Sequence, residues 1–279
     1  VLKLERVGLT DNFFELGGDS IISLQVVSRA RQAGIQFTPK DLFQHQTVQG
    51  VASVARFAPA LAVDQGPVSG SMPLTPVQRR FFAEAIPQRN HWNQSLLLAP
   101  ADSLEPVLLR EALQAVVSRH DALRLRFDGV DEEWQAAFDP AACAEDVLWV
   151  RQLADGDLSE VVEAAQRSLD LKHGPLLRVL LADLPDGSQR LLLVVHHLVV
   201  DGVSWRILLE DLQQAYQSLQ AGQAPNLPAK TSSFKAWADR LKEHASSEAV
   251  ERELCYWRQA LEGVSTDLPC ERPEGGRQQ

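Results

Sequence analysis

Two stretches of this 279-residue chain gather side chains that can do chemistry. The first is His196-His197-Leu198-Val199-Val200-Asp201-Gly202. Histidine alone has an ordinary pKa that lets it take and give protons near neutrality, so the pair is a candidate acid/base centre. The second is Leu16-Gly17-Gly18-Asp19-Ser20-Ile21. Paired glycines let the backbone turn and pass closely. A serine opening a helix has an exposed hydroxyl, or simply caps the helix.

Other chemistries fit these residues less well. Adjacent histidines on a strand point to opposite faces, so they do not readily share one metal ion. No HExxH and no third clustered ligand accompanies them, and no metal is expected. Ser204 lies close in sequence but has no strand–turn–helix nucleophile elbow around it. Ser20 lacks Gly-x-Ser-x-Gly, because Ile22 stands where the second glycine belongs. The plain alternatives are a pair of hydrogen-bonded core histidines and a helix-capping serine.

The elements that must position these residues are legible from periodicity. The apolar run Leu191–Val195 reads as a strand ending at the histidines, and Arg206 to Leu219 reads as a helix after them. Residues 1–57 read as a small helical unit. Asp19 or Ser20 caps a helix with Ile21, Leu24 and Val27 at helical spacing, and Gly34 closes it. Thr38-Pro39 starts a second helix, with Leu42 and Phe43 on its buried face. Thr47 caps a third through Val48, Val51 and Val54. Residues 58–72 cluster Pro, Gly and Ser and read as a linker. From Met72 onward helices and strands alternate. Val77, Phe81 and Phe82 share one helix face. Ser95–Leu98 is a strand, and Leu104 to Ser118 is a helix burying Val107, Leu108, Leu113, Val116 and Val117. Ala122–Phe127 is a half-buried strand with a hairpin partner at Trp134–Phe138. Val147–Val150 is a strand and Leu158 to Leu169 a helix. Strands at Pro175–Leu181 and Arg190–Val195 are joined by the turn Pro185-Asp186-Gly187-Ser188. The helix after Trp205 buries Ile207, Leu208, Leu209, Leu212 and Tyr216. Two more helices carry Trp237 and Leu241, then Leu254, Trp257 and Leu261. The second domain is α/β or α+β.

Composition narrows the function. A formal net charge of −10 argues against a nucleic-acid partner, which needs a basic face. No apolar run approaches the ~18 residues of a membrane span, and charges break up any signal-peptide pattern at the N-terminus. Three widely spaced cysteines (Cys143, Cys255, Cys270) make no disulfide framework, so a reducing cytoplasm is the simplest location. No initiator Met precedes Val1, as expected of a processed or excised piece.

Asp11-Asn12-Phe13-Phe14-Glu15-Leu16-Gly17-Gly18-Asp19-Ser20-Ile21, continued by Asp41-Leu42-Phe43 and Thr47-Val48, resembles the peptidyl carrier domains of nonribosomal peptide synthetases. The resemblance covers residues 1–57. It implies that Ser20 carries a covalent 4′-phosphopantetheine arm, installed by a phosphopantetheinyl transferase. It also implies that the first carrier helix lies before Val1. Asp19 stands where many carriers have His; the Asp form resembles carriers placed before epimerization domains.

His196, His197, Asp201 and Gly202 match, residue by residue, the HHxxxDG motif of the condensation-domain superfamily, which includes chloramphenicol acetyltransferase-like enzymes. The resemblance implies that His197 is the catalytic base, that His196 packs and orients, and that Asp201 holds the loop through an arginine. His120–Phe127 resembles the superfamily's second core motif, which makes Arg124 the expected partner. Pro73–Phe82, His91-Trp92-Asn93-Gln94 and Val203–Leu208 look like the epimerization branch; condensation domains more often place an aromatic residue directly after the glycine. The implied fold is a small all-α carrier bundle (1–57), a linker (58–72) and the N-terminal lobe of a chloramphenicol acetyltransferase-like α/β (α+β) domain (73–279).

Epimerization removes the α-proton of an aminoacyl or peptidyl thioester and returns a proton to the other face. The site must supply a base, a partner for the enolate oxygen and a dry cleft. Glu84 and Asp201 are the nearest acidic residues by motif, and both read better as structural. In the family the second acid/base is a glutamate of a second lobe, whose motifs this sequence lacks, so either the chain alone does not epimerize or the second lobe follows Gln279. The implied partners are neighbouring adenylation and condensation domains of the same synthetase and the thioester substrate. The alternatives are a condensation domain forming peptide bonds, and a carrier joined to a docking lobe without catalysis.

Overall fold

A computed structural model describes residues 1–2, 4–57, 63–130, 133–142, 147–153 and 158–265. Part of the expected linker (Ala58, Pro59), Cys143, Cys270 and the polar stretch from Pro269 to Gln279 lie outside the described residues. In chain order the early elements are α1 (Ser20–Gln32), β1 (Ile35–Gln36), α2 (Pro39–His45), α3 (Val48–Val54), β2 (Arg56–Phe57) and β3 (Gly70–Met72). Then come α4 (Pro76–Ala83), β4 (Asn93–Leu98), α5 (Pro106–Arg119), β5 (Leu125–Val130), β6 (Glu133–Phe138) and β7 (Leu148–Gln152). The last are α6 (Leu158–Gln166), β8 (Leu177–Asp183), β9 (Gln189–His196), α7 (Gly202–Gln220), α8 (Phe234–Ala245) and α9 (Glu248–Ala260). Among the described residues, no helix is long and apolar enough to cross a membrane.

The chain divides into two compact units, Val1–Gly66 with Val200–Thr231, and Pro67–Val199 with Ser232–Gln279. Motif boundaries alone put all of 73–279 in one lobe. By compactness α7 groups with the N-terminal helices, and an Arg29–Glu210 ion pair at 3.1 Å joins α1 to it.

In the first unit, three capped helices surround Phe13, Leu42 and Val51, with Leu2, Ile22, Val26 and Phe37 packed around them. Thr38 and Asp41 form a reciprocal capping box at α2, and Thr47 caps α3. β1 and β2 add a two-residue antiparallel pairing to an otherwise helical bundle. Phe43, expected inside, is exposed and stacks on Phe14 with ring centroids 5.1 Å apart.

The second unit holds two sheets. β3, β6 and β5 form an antiparallel set, so Gly70–Met72 of the expected linker is a strand. The larger sheet runs β4-β9-β8-β7, antiparallel except for the parallel pair β7·β8. Leu177–Ala182 and Leu191–His196 are buried without interruption, which is why both stretches are apolar, apart from buried Arg178 and His196, rather than alternating. Ala165 and Leu169 pack against Leu180, Leu192 and Val194 of this sheet. A second cluster joins Phe81 and Phe82 to Leu125, Phe127, Phe138 and Leu176.

Other local expectations change, and Ile207 is exposed rather than buried. Ala122–Arg124 is not strand: Asp121–Arg124 forms a 3₁₀ turn and β5 starts at Leu125. Val77 and Val107 are 71% and 60% exposed, and α5 turns Leu109 and Ala112 inward instead. α7 starts at Gly202, four residues before the expected Arg206, because Asp201 supplies the cap.

Candidate functional site

Ser20 is the first residue of α1 and is exposed. The helix starts there because Asp19 has an extended backbone and its carboxylate accepts the Ile22 N–H at 2.6 Å. The approach to it is fixed by Asn12, whose side-chain oxygen accepts the Phe14 N–H at 2.9 Å and whose amide donates to Gln46 at 2.9 Å. The two glycines do different work. Gly17 has φ +90°, which favours glycine, and is otherwise in open space. Gly18 donates its N–H to the Phe13 carbonyl at 2.9 Å, and a Cβ there would come within 2.5 Å of both that oxygen and the Phe13 ring.

Gly18→Ala is therefore expected to push the turn off Phe13 and misplace the start of α1. The cost is on the order of 1–3 kcal/mol, as for other overpacked contacts, and thermal unfolding checks it. An unchanged midpoint would refute the close approach.

The Ser20 environment fits a phosphopantetheine arm. The hydroxyl is presented at a helix start, on an open turn, next to a residue whose carboxylate is already used as a cap. Within the same unit the Arg206 guanidinium lies 3.8 Å from Asp19.

The histidine site is built from β4 and β9. Their register pairs Asn93 with His196 and Gln94 with Val195. Strand alternation then sends the two histidines to opposite faces. His196 is fully buried. Its Nε2 lies 2.8 Å from the Arg89 carbonyl and so must carry a proton, and its Nδ1 accepts the Leu198 N–H at 3.2 Å. Phe81 meets it edge-on at 5.9 Å. Burial pushes its pKa down to about 4; the Arg89 carbonyl opposes that shift, and neighbouring His197 adds to it.

His196 is thus a neutral, two-sided hydrogen-bonding post, and it makes stability depend on pH. Its folded pKa lies below the ordinary value of 6.5. Its contribution is present above about 6.5 and is lost as pH falls toward about 4, because only the unfolded chain takes the proton across that window. The full loss is on the order of 3 kcal/mol. Urea midpoints measured from pH 7 to 4 should fall in that interval. The decline should flatten in His196→Gln; an equal decline in that variant would overturn the assignment.

His197, one residue past β9, donates its backbone N–H to the Trp92 carbonyl at 2.9 Å. Its side chain is exposed, and its Nε2 lies 3.3 Å from the Gln94 side-chain nitrogen. The loop after it is held by Gln78, which is buried, donates to the Leu198 carbonyl at 3.4 Å and accepts the Thr75 N–H at 3.0 Å. Sequence alone gives neither Gln78 nor Gln94 a role, although both lie in the motifs that carry the resemblance.

Asp201 and Arg124 lie in different compact units, and each has partners within its own. Asp201 caps α7, accepting the Ser204 N–H at 2.8 Å and the Ser204 hydroxyl at 2.7 Å. That accounts for Ser204 as well. Arg124 is buried and donates to Asp121, to the Val68 carbonyl at 3.1 Å and to the Asp139 carbonyl at 3.3 Å. The Asp121 carboxylate, three residues upstream, accepts from the guanidinium. Gly202 opens α7, and nothing in the structure explains its glycine, since a Cβ there would meet open space. Glu84 closes α4 and pairs with Arg80 at 2.9 Å, an exposed structural contact.

Residues 68–279 match the family model described as "Condensation domain", and residues 1–54 match "Phosphopantetheine attachment site". A linear gramicidin synthase polypeptide of Brevibacillus parabrevis is 44% identical over 98% of this chain. Surfactin synthase subunit 1 of Bacillus subtilis (strain 168) is 42% identical over 99% of it. The chain spans only 6% and 8% of those two proteins. Among solved structures, the epimerization domain from the third module of tyrocidine synthetase B is 38% identical, with a TM-score of 0.66 over 74% of this chain and 48% of that one. The starter condensation domain of rhizomide synthetase shares the fold at 18% identity and a TM-score of 0.61, over 71% of this chain and 49% of that one.

Proposed function

The chain belongs to the condensation-domain family, with a phosphopantetheine attachment domain ahead of it, and from that premise we propose that it serves nonribosomal peptide synthesis as a carrier coupled to an epimerizing lobe. The observation that carries epimerization over condensation is the likeness to the tyrocidine synthetase epimerization domain, at about twice the identity of the condensation domain that shares the fold. Val203-Ser204-Trp205 after the motif and Asp19 before Ser20 support the same branch.

Ser20 is the attachment point, and Asp19, Gly17 and Gly18 hold its hydroxyl in reach of a phosphopantetheinyl transferase. The bound arm supplies a thioester tether, which makes the α-hydrogen of the carried residue removable. His197 takes that proton on a ring nitrogen and holds it. His196 does not exchange protons in this scheme, because both of its nitrogens are committed inside the unit. Asp201 holds the start of α7. Return of a proton to the opposite face needs a second group, and none of the residues described above takes that role. Adenylation and condensation partners, and a cytoplasmic setting, belong to the same proposal.

The test loads an L-aminoacyl thioester onto the synthetase polypeptide that carries this segment, hydrolyses it and separates the enantiomers. A mixture of D and L supports the reading. Retention of L, with amide formation when a second loaded carrier is supplied, would establish condensation instead.

A further inference from the structure

Gln94 takes no part in the chemistry proposed above, yet the fold brings it to the proposed base. In the antiparallel pair β4·β9, Asn93 faces His196 and Gln94 faces Val195. Side chains two apart on one strand share a face, so Gln94, Val195 and His197 lie on the face opposite His196. Gln94 and His197 are then a diagonal cross-strand pair, a spacing that long side chains bridge. The backbone bond from His197 N–H to the Trp92 carbonyl extends this register one residue beyond β9, so the meeting is fixed by the ladder. The Gln94 amide nitrogen sits 3.3 Å from His197 Nε2.

An amide N–H and a neutral imidazole nitrogen can bond in only one way. The amide donates, and the imidazole nitrogen must be the unprotonated one. Which ring nitrogen carries the proton is set by the bond the other makes. We propose that Gln94 is a positioning residue that holds neutral His197 in the tautomer with its proton on Nδ1, leaving the Nε2 lone pair as the basic site. The amide biases the ring orientation and marks the direction from which a proton arrives. The substrate displaces this weak donor when it presents its own hydrogen. The inference rests on the proposed role of His197, and its test has an arm that does not depend on activity.

That arm is nitrogen NMR of the full chain labelled in its histidine rings, with His197 assigned by its absence in H197A. Wild type should show Nδ1 as the protonated nitrogen and Nε2 as the bare one at a pH where the ring is neutral. In Gln94→Leu the proton should move toward Nε2. In Gln94→Glu, whose carboxylate accepts and cannot donate, it should move further. In the synthetase carrying this segment, Gln94→Leu should slow D/L interconversion about 10-fold and Gln94→Glu more than that, with unchanged loading of Ser20. A wild-type His197 protonated on Nε2, or a tautomer unmoved by both variants, overturns the inference. Full activity in H197A would overturn the base itself and leave the tautomer result standing.

Discussion

His197→Ala should remove D/L interconversion almost completely while leaving the fold intact. Loss of a positioned acid/base group typically costs 10²–10⁴-fold in rate. The ring is exposed, so truncation opens no cavity, and an alanine keeps the backbone bond to the Trp92 carbonyl. Exposed substitutions of this kind stay within about 0.5 kcal/mol in stability. The chiral assay on the loaded synthetase reads the rate, and thermal unfolding of this chain reads the fold. Activity within a few-fold of wild type would remove His197 as the base. It would favour the reading in which this lobe only docks the carrier. A large fall in unfolding midpoint would show that the ring is structural. The same substitution at His196 would not discriminate, because it strands the Arg89 carbonyl and the Leu198 N–H in a buried place.

Ser20→Ala should abolish loading altogether. The hydroxyl is the acceptor of the phosphopantetheinyl group, so no partial activity is expected. The intact mass of the chain after treatment with coenzyme A and a promiscuous phosphopantetheinyl transferase reads it directly. The neighbouring hydroxyl offers no substitute: Ser23 is fully buried and donates to the Ser20 carbonyl at 2.6 Å. The helix should tolerate the change, since the cap comes from Asp19 and not from Ser20. Addition of the group to Ser20→Ala would show that attachment lies elsewhere. Failure of the wild-type chain to accept it would count against the carrier assignment of residues 1–57.

Much of this arrangement is legible in the residues themselves. The motif around Ser20 carries its own capping logic, and Asp19 bonds to Ile22 as an N-cap should. The strand before the histidines is plain from Leu191–Val195, because a strand buried on both faces has no polar interruptions. What sequence obscures is partner choice. The 3₁₀ turn at Asp121–Arg124 brings the Asp121 carboxylate to the buried Arg124 guanidinium, a contact that no periodicity shows. Alternation across Ala122–Phe127 reads as one strand and hides that turn. Helix faces mislead for a related reason. Val107-Leu108-Leu109 offers three consecutive apolar residues, and periodicity alone does not say which of them turns inward. Gln94 escapes because its neighbour is 103 positions away and its meaning comes from register, which needs both strands in view.

The backbone bond between His197 and Trp92 also separates two kinds of motion. An exposed imidazole can reorient on the picosecond-to-nanosecond scale, while its own amide is released only when the end of β4 opens from β9. Local unfolding and ring rotation therefore run on different clocks at the same residue. A substrate meets a base whose anchor is already settled, and only its last torsion angles remain to be chosen.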